Sequence, residues 1–286
     1  MQKMFFGSVC QSLLRLLTYQ AHITRRLPPR RTGESDDAVL LIHVSRDSTK
    51  GRYPGMRTIL RYAFLSLILL QYSAYGQTVT DWANLKRYAE ADSNLPQLAP
   101  GEKRVVFMGN SITEFWARLD STFFIDNGYI DRGISGQVSS QMLLRFRQDV
   151  IDLKPTVVVI LAGTNDIAEN AGPISLEDVM GNIISMAQLA ETNNIKVILC
   201  SVLPAYDFPW HKGLQPAEKI VKLNSMIKSY CDKSNITYAD YYSKMVDEMK
   251  GLPEKYSQDG VHPNYEGYKV MDSVIKGEIN SLLRSK

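Results

Sequence analysis

Four short segments of this 286-residue chain carry side chains that could together perform acyl transfer. A serine hydroxyl becomes a nucleophile when a base takes its proton, and a carboxylate commonly orients that base. The negative oxygen that then forms on the substrate needs hydrogen-bond donors already in place. The segments that could supply these parts are Gly109-Asn110-Ser111-Ile112-Thr113, Gly133-Ile134-Ser135-Gly136, Gly163-Thr164-Asn165-Asp166 and Asp259-Gly260-Val261-His262-Pro263.

His262 is the candidate base, and Asp259 is the candidate acid that orients it. Two of the four histidines lie in the first 50 residues, which leaves His211 and His262 in the rest of the chain. Asp259 is three residues before His262 and can bond one ring nitrogen, so that the other is left to accept the serine proton. The alternative is that Asp259-Gly260 is only a turn signal.

Ser111 is the candidate nucleophile because it follows an apolar run and opens a helical pattern. Backbone N–H groups at a helix N-terminus point towards a reacting centre there and favour negative charge. The alternative is an ordinary N-cap serine, which Glu114 three residues later would complete as a capping box. Asn110 can bond locally and support the serine turn.

Gly136 and Asn165 are the candidate donors to a negative oxygen. Gly136 has no side chain, so its backbone N–H could approach a substrate closely. Asn165 would donate from its side-chain amide. Each also has an ordinary interpretation, as a loop glycine and as a turn or cap residue after a strand.

The elements that must position these residues alternate between strands and helices. Runs rich in Val and Ile predict strands buried on both faces of a parallel sheet. They are Val105–Met108, Val157–Leu161 and Lys196–Cys200, with Tyr129-Ile130 and Ile236–Tyr238 as further candidates. Apolar residues at helical spacing predict helices over Ser139–Ile151, Leu176–Thr192, Ala217–Lys233 and Tyr265–Leu283. The alternation predicts a doubly wound α/β fold, which binds ligands at the carboxyl ends of its strands.

The first 76 residues do not have the pattern of a domain. Met56 begins a short basic stretch, an apolar run follows over 62–70, and Ala74-Tyr75-Gly76 offers small residues for cleavage. This predicts a signal peptide over 56–76, with an uncleaved anchor as the alternative, although the apolar run is shorter than the roughly 20 residues of a membrane span. Residues 1–55 are then a disordered tail or a start assigned too early, and 77–286 form one domain.

The charge of the chain is divided in the same way. Residues 1–76 carry 11 Lys and Arg against 4 Asp and Glu, whereas residues 77–286 carry 22 against 26. The predicted domain is therefore mildly acidic, so nothing in its charge favours binding to nucleic acid.

Cys200 and Cys231 are expected to be buried free thiols, with a disulfide between them as the alternative.

The four segments, in this order, resemble the SGNH (GDSL-type) hydrolase family over roughly Lys103–Lys286. The resemblance implies a flavodoxin-like three-layer α/β/α sandwich and a catalytic triad of Ser111, Asp259 and His262. It also implies an oxyanion hole formed by the N–H groups of Ser111 and Gly136 and the amide of Asn165. No metal or cofactor is implied. The chain departs from the family's commonest pattern at Asn110, where the family usually has Asp.

An aromatic segment, residues 204–211, follows the strand that ends at Cys200 and should lie on the same rim. Tyr206, Phe208 and Trp210, together with Trp116, are tentative substrate contacts, since aromatic faces could stack on a sugar or pack an acyl group. The alternative is a hydrophobic plug that packs the loop down.

These features favour an exported serine esterase, periplasmic or secreted, that acts on short acyl esters, above all O-acetyl groups on a small molecule or glycan. The rivals are an acyl-lipid, lysophospholipid or thioester hydrolase, similar to the platelet-activating-factor acetylhydrolase branch, and a carbohydrate-binding module descended from an esterase. The second rival should have lost a triad residue, and all three are present. No membrane span is expected after signal cleavage, and the sequence leaves the oligomeric state open.

Overall fold

The computed structural model describes residues 81–284. The expectations for residues 1–55 and 56–76, and for a domain that begins at residue 77, lie outside this range. The strands are β1 (Val105–Gly109), β2 (Tyr129–Gly133), β3 (Val157–Ile160), β4 (Lys196–Cys200) and β5 (Thr237–Ala239). The α-helices are α1 (Ala89–Ser93), α2 (Ser111–Leu119), α3 (Ser121–Asn127), α4 (Ser139–Asp149), α5 (Thr164–Ile167), α6 (Leu176–Thr192), α7 (Pro216–Ser234), α8 (Tyr242–Met245) and α9 (Tyr265–Arg284).

The five strands form one parallel sheet in the order β2-β1-β3-β4-β5. This is the flavodoxin-like order, and it confirms the predicted doubly wound fold. The chain moves to the opposite side of β1 between β2 and β3, so a crevice opens at the carboxyl ends of β1 and β3. Ser111 follows β1 and Asn165 follows β3, so both lie at this crevice.

Helices cover the sheet on both faces, which completes the predicted three layers. Helices α4, α6 and α7 pack on the face that Val106 and Met108 point to, whereas α2, α3 and α9 pack on the face of Val105 and Phe107. Alternate strand residues are therefore buried on opposite faces, which is why β1 reads as a continuous apolar run.

The predicted elements are found with small shifts at their ends. Helix α6 and strand β4 have the predicted bounds, and β2 continues three residues beyond Ile130, to Gly133. The helix expected to reach Ile151 ends at Asp149, and a 3₁₀ turn follows over Ile151–Leu153.

Cys200 and Cys231 are buried free thiols, so the disulfide alternative is wrong, and burial raises the pKa of Cys200 to about 12. Among residues 81–284, no helix is long and apolar enough to cross a membrane.

Candidate active site

Ser111, His262 and Asp259 form a continuous hydrogen-bonded relay, although 151 residues separate the first two. The Ser111 Oγ lies 2.9 Å from His262 Nε2. The other ring nitrogen, Nδ1, lies 2.7 Å from the Asp259 carboxylate. A proton on Nδ1 shared with the carboxylate leaves Nε2 as the acceptor for the serine hydroxyl. This arrangement can remove the serine proton during an attack.

The chain around Asp259 holds its carboxylate in place. Oδ1 accepts hydrogen bonds from the backbone N–H groups of Val261 and His262 and from the Ser257 hydroxyl, and Oδ2 is left for the His262 ring. Burial alone would raise the pKa of Asp259, but the bonds from His262 and Val261 outweigh it and hold the pKa below its ordinary value. Asp259 is therefore an anion at neutral pH. The Ser257 Oγ also lies 2.7 Å from the His262 carbonyl, so its one hydroxyl hydrogen is shared between that carbonyl and Asp259, a support that the sequence pattern did not indicate.

Asn110, and not Ser111, caps the helix that begins at Ser111. The Asn110 side chain accepts a hydrogen bond from the Ile112 N–H, while Ser111 is the first residue of α2. The N-cap alternative for Ser111 is therefore wrong, because its hydroxyl bonds His262 instead. The expectation that Asn110 supports the serine turn is confirmed. The N–H of a first helical residue has no acceptor within its helix, so the Ser111 N–H is free to face a substrate.

Glu114, which would complete a capping box in the alternative interpretation of Ser111, instead holds the glycine turn that follows β2. Its Oε2 accepts hydrogen bonds from both the N–H and the hydroxyl of Ser135, and its Oε1 is paired with Arg87 and Arg118. Glycine is required at 133, because a Cβ there would lie 2.3 Å from the Glu114 backbone nitrogen. The nucleophile helix and the glycine turn are therefore in direct contact.

Gly136 lies at the exposed tip of this turn with a φ of +78°, a conformation that favours glycine. Within residues 81–284 its N–H has no hydrogen-bond acceptor, although the flanking Ile134 and Gln137 N–H groups both have one. An unpaired, exposed N–H is what a donor to a substrate oxygen requires.

Asn165 is buried, with 3% of its surface exposed, in the short helix α5 that follows β3. Its Nδ2 donates to the Gln137 carbonyl at 2.9 Å, which ties it to the residue after Gly136. Its Oδ1 accepts from the amide of Asn170 at 3.0 Å. An amide nitrogen carries two hydrogens, so the second Nδ2 hydrogen can serve a substrate oxygen.

A fully buried arginine supports these donors, and the sequence pattern did not indicate it. Arg145, on α4, donates to the Gly109 carbonyl at the end of β1, to the Gln137 side chain and to the Asp149 carboxylate. Arg145 therefore links the chain just before Ser111, at Gly109, to the chain just after Gly136, at Gln137. The one sequence feature that could have indicated this role is that Arg145 lies next to Phe146, on the apolar side of the helix. That feature is not decisive, because an exposed arginine at the edge of the apolar side would have the same position.

Two of the four predicted substrate contacts are wrong. Trp116 is 1% exposed, is stacked between Phe123 and Tyr268, and donates its indole N–H to Asp272. Phe208 is fully buried, so it plugs its loop as the alternative interpretation held. Neither ring has surface left to offer a ligand. Phe115, one residue before Trp116, is the ring of α2 that faces the site, 5.3 Å from the His262 ring.

Trp210 and Tyr206 are exposed, as a substrate contact requires. Trp210 is 46% exposed, and its ring centroid lies 5.9 Å from that of His262. Tyr206 borders a cavity of about 440 Å³ next to the triad carboxylate. The cavity is lined by residues 206–209, Lys212, Asp247, Met249, Gly251, Leu252, Asp259 and Gly260.

The flavodoxin-like fold and this relay define a hydrolase-type site with a serine directly after the first strand. Comparison with known proteins agrees: the sequence profile of the GDSL-like lipase/acylhydrolase family matches residues 106–270, a range that includes every residue of the relay. The chain belongs to this family, and it is a carboxylic ester hydrolase.

Solved structures and a curated relative support the same family. A protein of Bacteroides fragilis, provisionally assigned as an acylhydrolase, is 52% identical with a TM-score of 0.71, and the match covers 72% of this chain and all of that one. A GDSL-like lipase of Bacteroides thetaiotaomicron is 54% identical with a TM-score of 0.68, over 70% of this chain and 98% of that one. Esterase TesA of Pseudomonas aeruginosa is 24% identical over 73% of this chain and 90% of its own length.

Proposed function

We propose that this protein hydrolyses short-chain acyl esters, with O-acetyl groups on carbohydrates as the substrate class, through an acyl-enzyme on Ser111. The observation that carries the proposal is the relay from Ser111 Oγ to His262 Nε2 at 2.9 Å and from His262 Nδ1 to Asp259 at 2.7 Å. The two donor groups at Gly136 and Asn165 complete the set of parts that acyl transfer requires.

In the first half of the reaction, His262 Nε2 takes the hydroxyl proton while Ser111 Oγ attacks the ester carbonyl. The tetrahedral oxyanion accepts hydrogen bonds from the Ser111 and Gly136 N–H groups and the Asn165 amide. The ester C–O bond then breaks, and the leaving alcohol takes the proton from His262. Asp259 stays ionised throughout and stabilises the positive imidazolium.

In the second half, a water molecule gives its proton to His262 and attacks the acyl carbonyl. The same three donors stabilise the second oxyanion. The bond from the acyl carbon to Ser111 Oγ breaks, the proton returns from His262 to Oγ, and the carboxylic acid is released. The cycle leaves the protein unchanged and consumes one water for each ester.

The cavity beside Asp259 supports a bulky polar alcohol as the leaving group. Because His262 protonates the alcohol, the alcohol must lie on the His262 side of Ser111. The cavity of about 440 Å³ borders Asp259 and Gly260, in the segment that carries His262, and it presents the exposed ring of Tyr206 with the charged groups of Lys212 and Asp247. An aromatic face with polar groups around it is suited to a sugar ring, which has an apolar face and a rim of hydroxyl groups.

One observation favours the rival, a lipid ester. Met249 is 61% exposed in the same cavity, and with the exposed Tyr206 it gives the cavity an apolar surface. Such a cavity could also contact an acyl chain or a lipid surface.

A p-nitrophenyl ester series from acetate to palmitate, with the Ser111→Ala variant alongside, tests both the mechanism and the chain length. The proposal requires turnover that declines beyond butyrate and is lost in Ser111→Ala. A preference for long chains would establish the lipid rival instead. Turnover that is unaffected in Ser111→Ala would refute the acyl-enzyme.

Acetate release from an acetylated xylo-oligosaccharide tests the alcohol. We expect Tyr206→Ala to raise KM for this substrate at least fivefold and to leave p-nitrophenyl acetate hydrolysis within twofold, since that small alcohol does not fill the cavity. Ile125→Ala is the matched control, because Ile125 is 74% exposed on α3 and outside the cavity. Equal effects of Tyr206→Ala on both substrates would contradict the assignment.

The protein is exported, with residues 56–76 as a signal peptide and a free periplasmic or secreted product. The basic stretch at Met56, the apolar run over 62–70 and the small residues at Ala74 and Gly76 support this. Expression of the full chain in a bacterium, followed by fractionation and mass spectrometry of the N-terminal peptide, tests it. A product that begins near residue 77 outside the cytoplasm is expected, and a product that keeps residues 56–76 would contradict cleavage.

A further inference from the structure

Asn170 connects an exposed aromatic ring to the buried amide at the oxyanion site. Its Oδ1 accepts the indole N–H of Trp210 at 2.9 Å. Its Nδ2 donates to Asn165 Oδ1 at 3.0 Å. The Asn165 amide in turn donates to the Gln137 carbonyl at 2.9 Å. Three side chains are therefore linked in one direction, each donating to the next.

The backbone fixes Asn170 in this position. The Asn170 N–H donates to the Asn165 carbonyl at 3.0 Å, which closes a tight turn after α5. Glu169, between them, has a φ of +57°, which is uncommon for a residue other than glycine. The His211 ring bonds the Ala168 carbonyl at 2.8 Å, so the loop that carries Trp210 is attached to the same turn.

The direction of these bonds determines what Asn165 can do. A side-chain amide has an acceptor end and a donor end, and only the donor end can stabilise a negative oxygen. Asn170 donates to the oxygen end of Asn165, which directs the amino end towards Gln137 and the reacting centre. If the Asn165 amide turned by 180°, its nitrogen would face the Asn170 amino group and its oxygen would face the Gln137 carbonyl, so both contacts would become repulsive.

We propose that Asn170 is a positioning residue, which holds the Asn165 amide in the orientation that donates to the oxyanion, with Trp210 holding Asn170. The proposal rests on the acyl-enzyme mechanism above. Asn170 itself does not touch the substrate. Its contribution is to remove the reorientation that Asn165 would otherwise undergo in each turnover, so it acts on kcat and not on substrate binding.

The test is a double-mutant cycle between Asn170→Ala and Asn165→Ala, with kcat and KM measured on p-nitrophenyl acetate. Losing a whole oxyanion donor lowers kcat about 10²–10³-fold, and losing only its orientation should lower kcat about tenfold. KM and the melting temperature should change little, since Asn170 is exposed. In the Asn165→Ala background, Asn170→Ala should have no further effect, because the group it orients is gone.

Asn170→Asp sharpens the test because it keeps the shape and the bond from Trp210. A carboxylate accepts hydrogen bonds only, so it would attract the amino end of Asn165 away from the reacting centre. We expect kcat to fall at least as far as in Asn170→Ala. Trp210→Phe, which keeps the ring and removes the N–H, should lower kcat about threefold. Asn193→Ala is the control, since the Asn193 amide bonds only the carbonyl of Leu189 at the end of α6.

Three results would overturn the proposal: a kcat within twofold of wild type in both Asn170 variants, an equal loss in the Asn165→Ala background, or a rise in KM with kcat unchanged. Failure of the acyl-enzyme mechanism itself would give a different result, because the Ser111→Ala variant would then keep the turnover of the wild type. The Ser111→Ala measurement is therefore made first, on the same substrate.

Discussion

The two sides of Ser111 are built differently. On the oxyanion side, Asn165 is 3% exposed and Arg145, which bonds the Gly109 carbonyl and the Gln137 side chain, is 0% exposed, and both lie on helices. On the base side, the His262 and Asp259 side chains are 23% and 40% exposed and lie on irregular chain between α8 and α9. Apart from the exposed Gly136, the oxyanion side is a buried hydrogen-bonded network, whereas the base side is open to water.

The difference matches what the proposed mechanism requires of each side. Donors to an oxyanion are effective when they are fixed before the reaction, which burial and mutual hydrogen bonds achieve. The base must exchange protons with an alcohol and then with water, so it needs access to solvent. We therefore expect substitutions on the base side to remove activity without unfolding the protein. Substitutions in the network that supports the oxyanion side should lower both activity and the free energy of unfolding.

The largest effect is expected for Asp259→Asn. The Asn oxygen can keep the bonds from Val261 and His262 N–H, and its amino group then faces His262 Nδ1. The ring must then carry its proton on Nε2, which can no longer accept the serine proton. In a serine protease triad the same change lowers kcat by about 10⁴, and a loss of that order is expected here on p-nitrophenyl acetate.

The free energy of unfolding distinguishes this from a structural defect. Urea denaturation of Asp259→Asn should differ from wild type by less than about 1 kcal/mol, because the carboxylate is partly exposed and most of its bonds persist. A loss of activity accompanied by a large loss of stability would mean that the base side is as tightly built as the other. That result would contradict the proposed difference between the buried oxyanion side and the open base side.

Arg145→Met should have the largest effect on stability. It leaves the Asp149 carboxylate, with 1% of its side chain exposed, without its cation, and leaves the Gly109 carbonyl and Gln137 side chain without their donor. Removing one partner of a buried ion pair lowers the free energy of unfolding by about 3–5 kcal/mol. Urea denaturation measures this, and kcat should fall as well because the serine and glycine turns lose their common support.

The matched control is the pair Lys228–Asp232 on α7. It has the same four-residue spacing, but its side chains are 58% and 63% exposed. Lys228→Met should change the free energy of unfolding by less than about 1 kcal/mol. Adding Asp149→Leu to Arg145→Met should recover part of the stability, because no buried charge is left unpaired. Equal losses for Arg145→Met and Lys228→Met would contradict the assignment.

The sequence predicted the fold and the relay well because both depend on patterns that repeat along the chain. Continuous apolar runs identified the strands, and the polar residues directly after them identified Ser111 and Asn165. The parallel sheet itself then brings these ends together, since every strand points the same way. Asp259 and His262 are three residues apart, so their contact is local and could be predicted without the fold.

The supporting residues could not be predicted, since their roles depend on contacts between segments far apart in sequence. Arg145 and Gln137 meet only because α4 packs under the end of β1. Trp116 and Phe115 are neighbours on one helix, and a rotation of about 100° between successive residues decides which ring is buried and which faces His262. Aromatic composition alone cannot make that distinction, which is why Trp116 was assigned to the wrong side.

Asn165→Ala should lower kcat by about 10²-fold, equivalent to roughly 3 kcal/mol of barrier, with little change in KM. The matched control is Asn224, a buried asparagine whose amide exchanges two hydrogen bonds with the backbone of Val202. Asn224→Ala should lower stability by a similar amount to Asn165→Ala and leave kcat unchanged. A drop in kcat of the same size in both variants would mean that Asn165 acts only through the fold.

The smallest effect is expected for Glu114→Gln, which should lower the free energy of unfolding. The pH dependence of this loss shows whether it comes from the charge of Glu114. Burial alone would raise the pKa of Glu114, but hydrogen bonds from Ser135 and the Arg118 cation outweigh it and hold the pKa below the ordinary value of 4.5. The unfolded chain therefore binds a proton before the folded one as pH falls, so this stabilisation is full above the unfolded pKa and is lost as pH falls through the lower, folded pKa.

At neutral pH, Glu114→Gln should lower the free energy of unfolding by about 1–2 kcal/mol, because Gln offers one oxygen where Glu offers two charged ones. The difference between the two proteins should shrink as pH falls below about 4.5, towards the lower pKa that Glu114 has in the folded protein. Other carboxylates titrate equally in both proteins and cancel in the difference. Urea denaturation from pH 7 to pH 4 measures it, and a difference that stays constant with pH would show that the charge of Glu114 does not hold the glycine turn to the nucleophile helix.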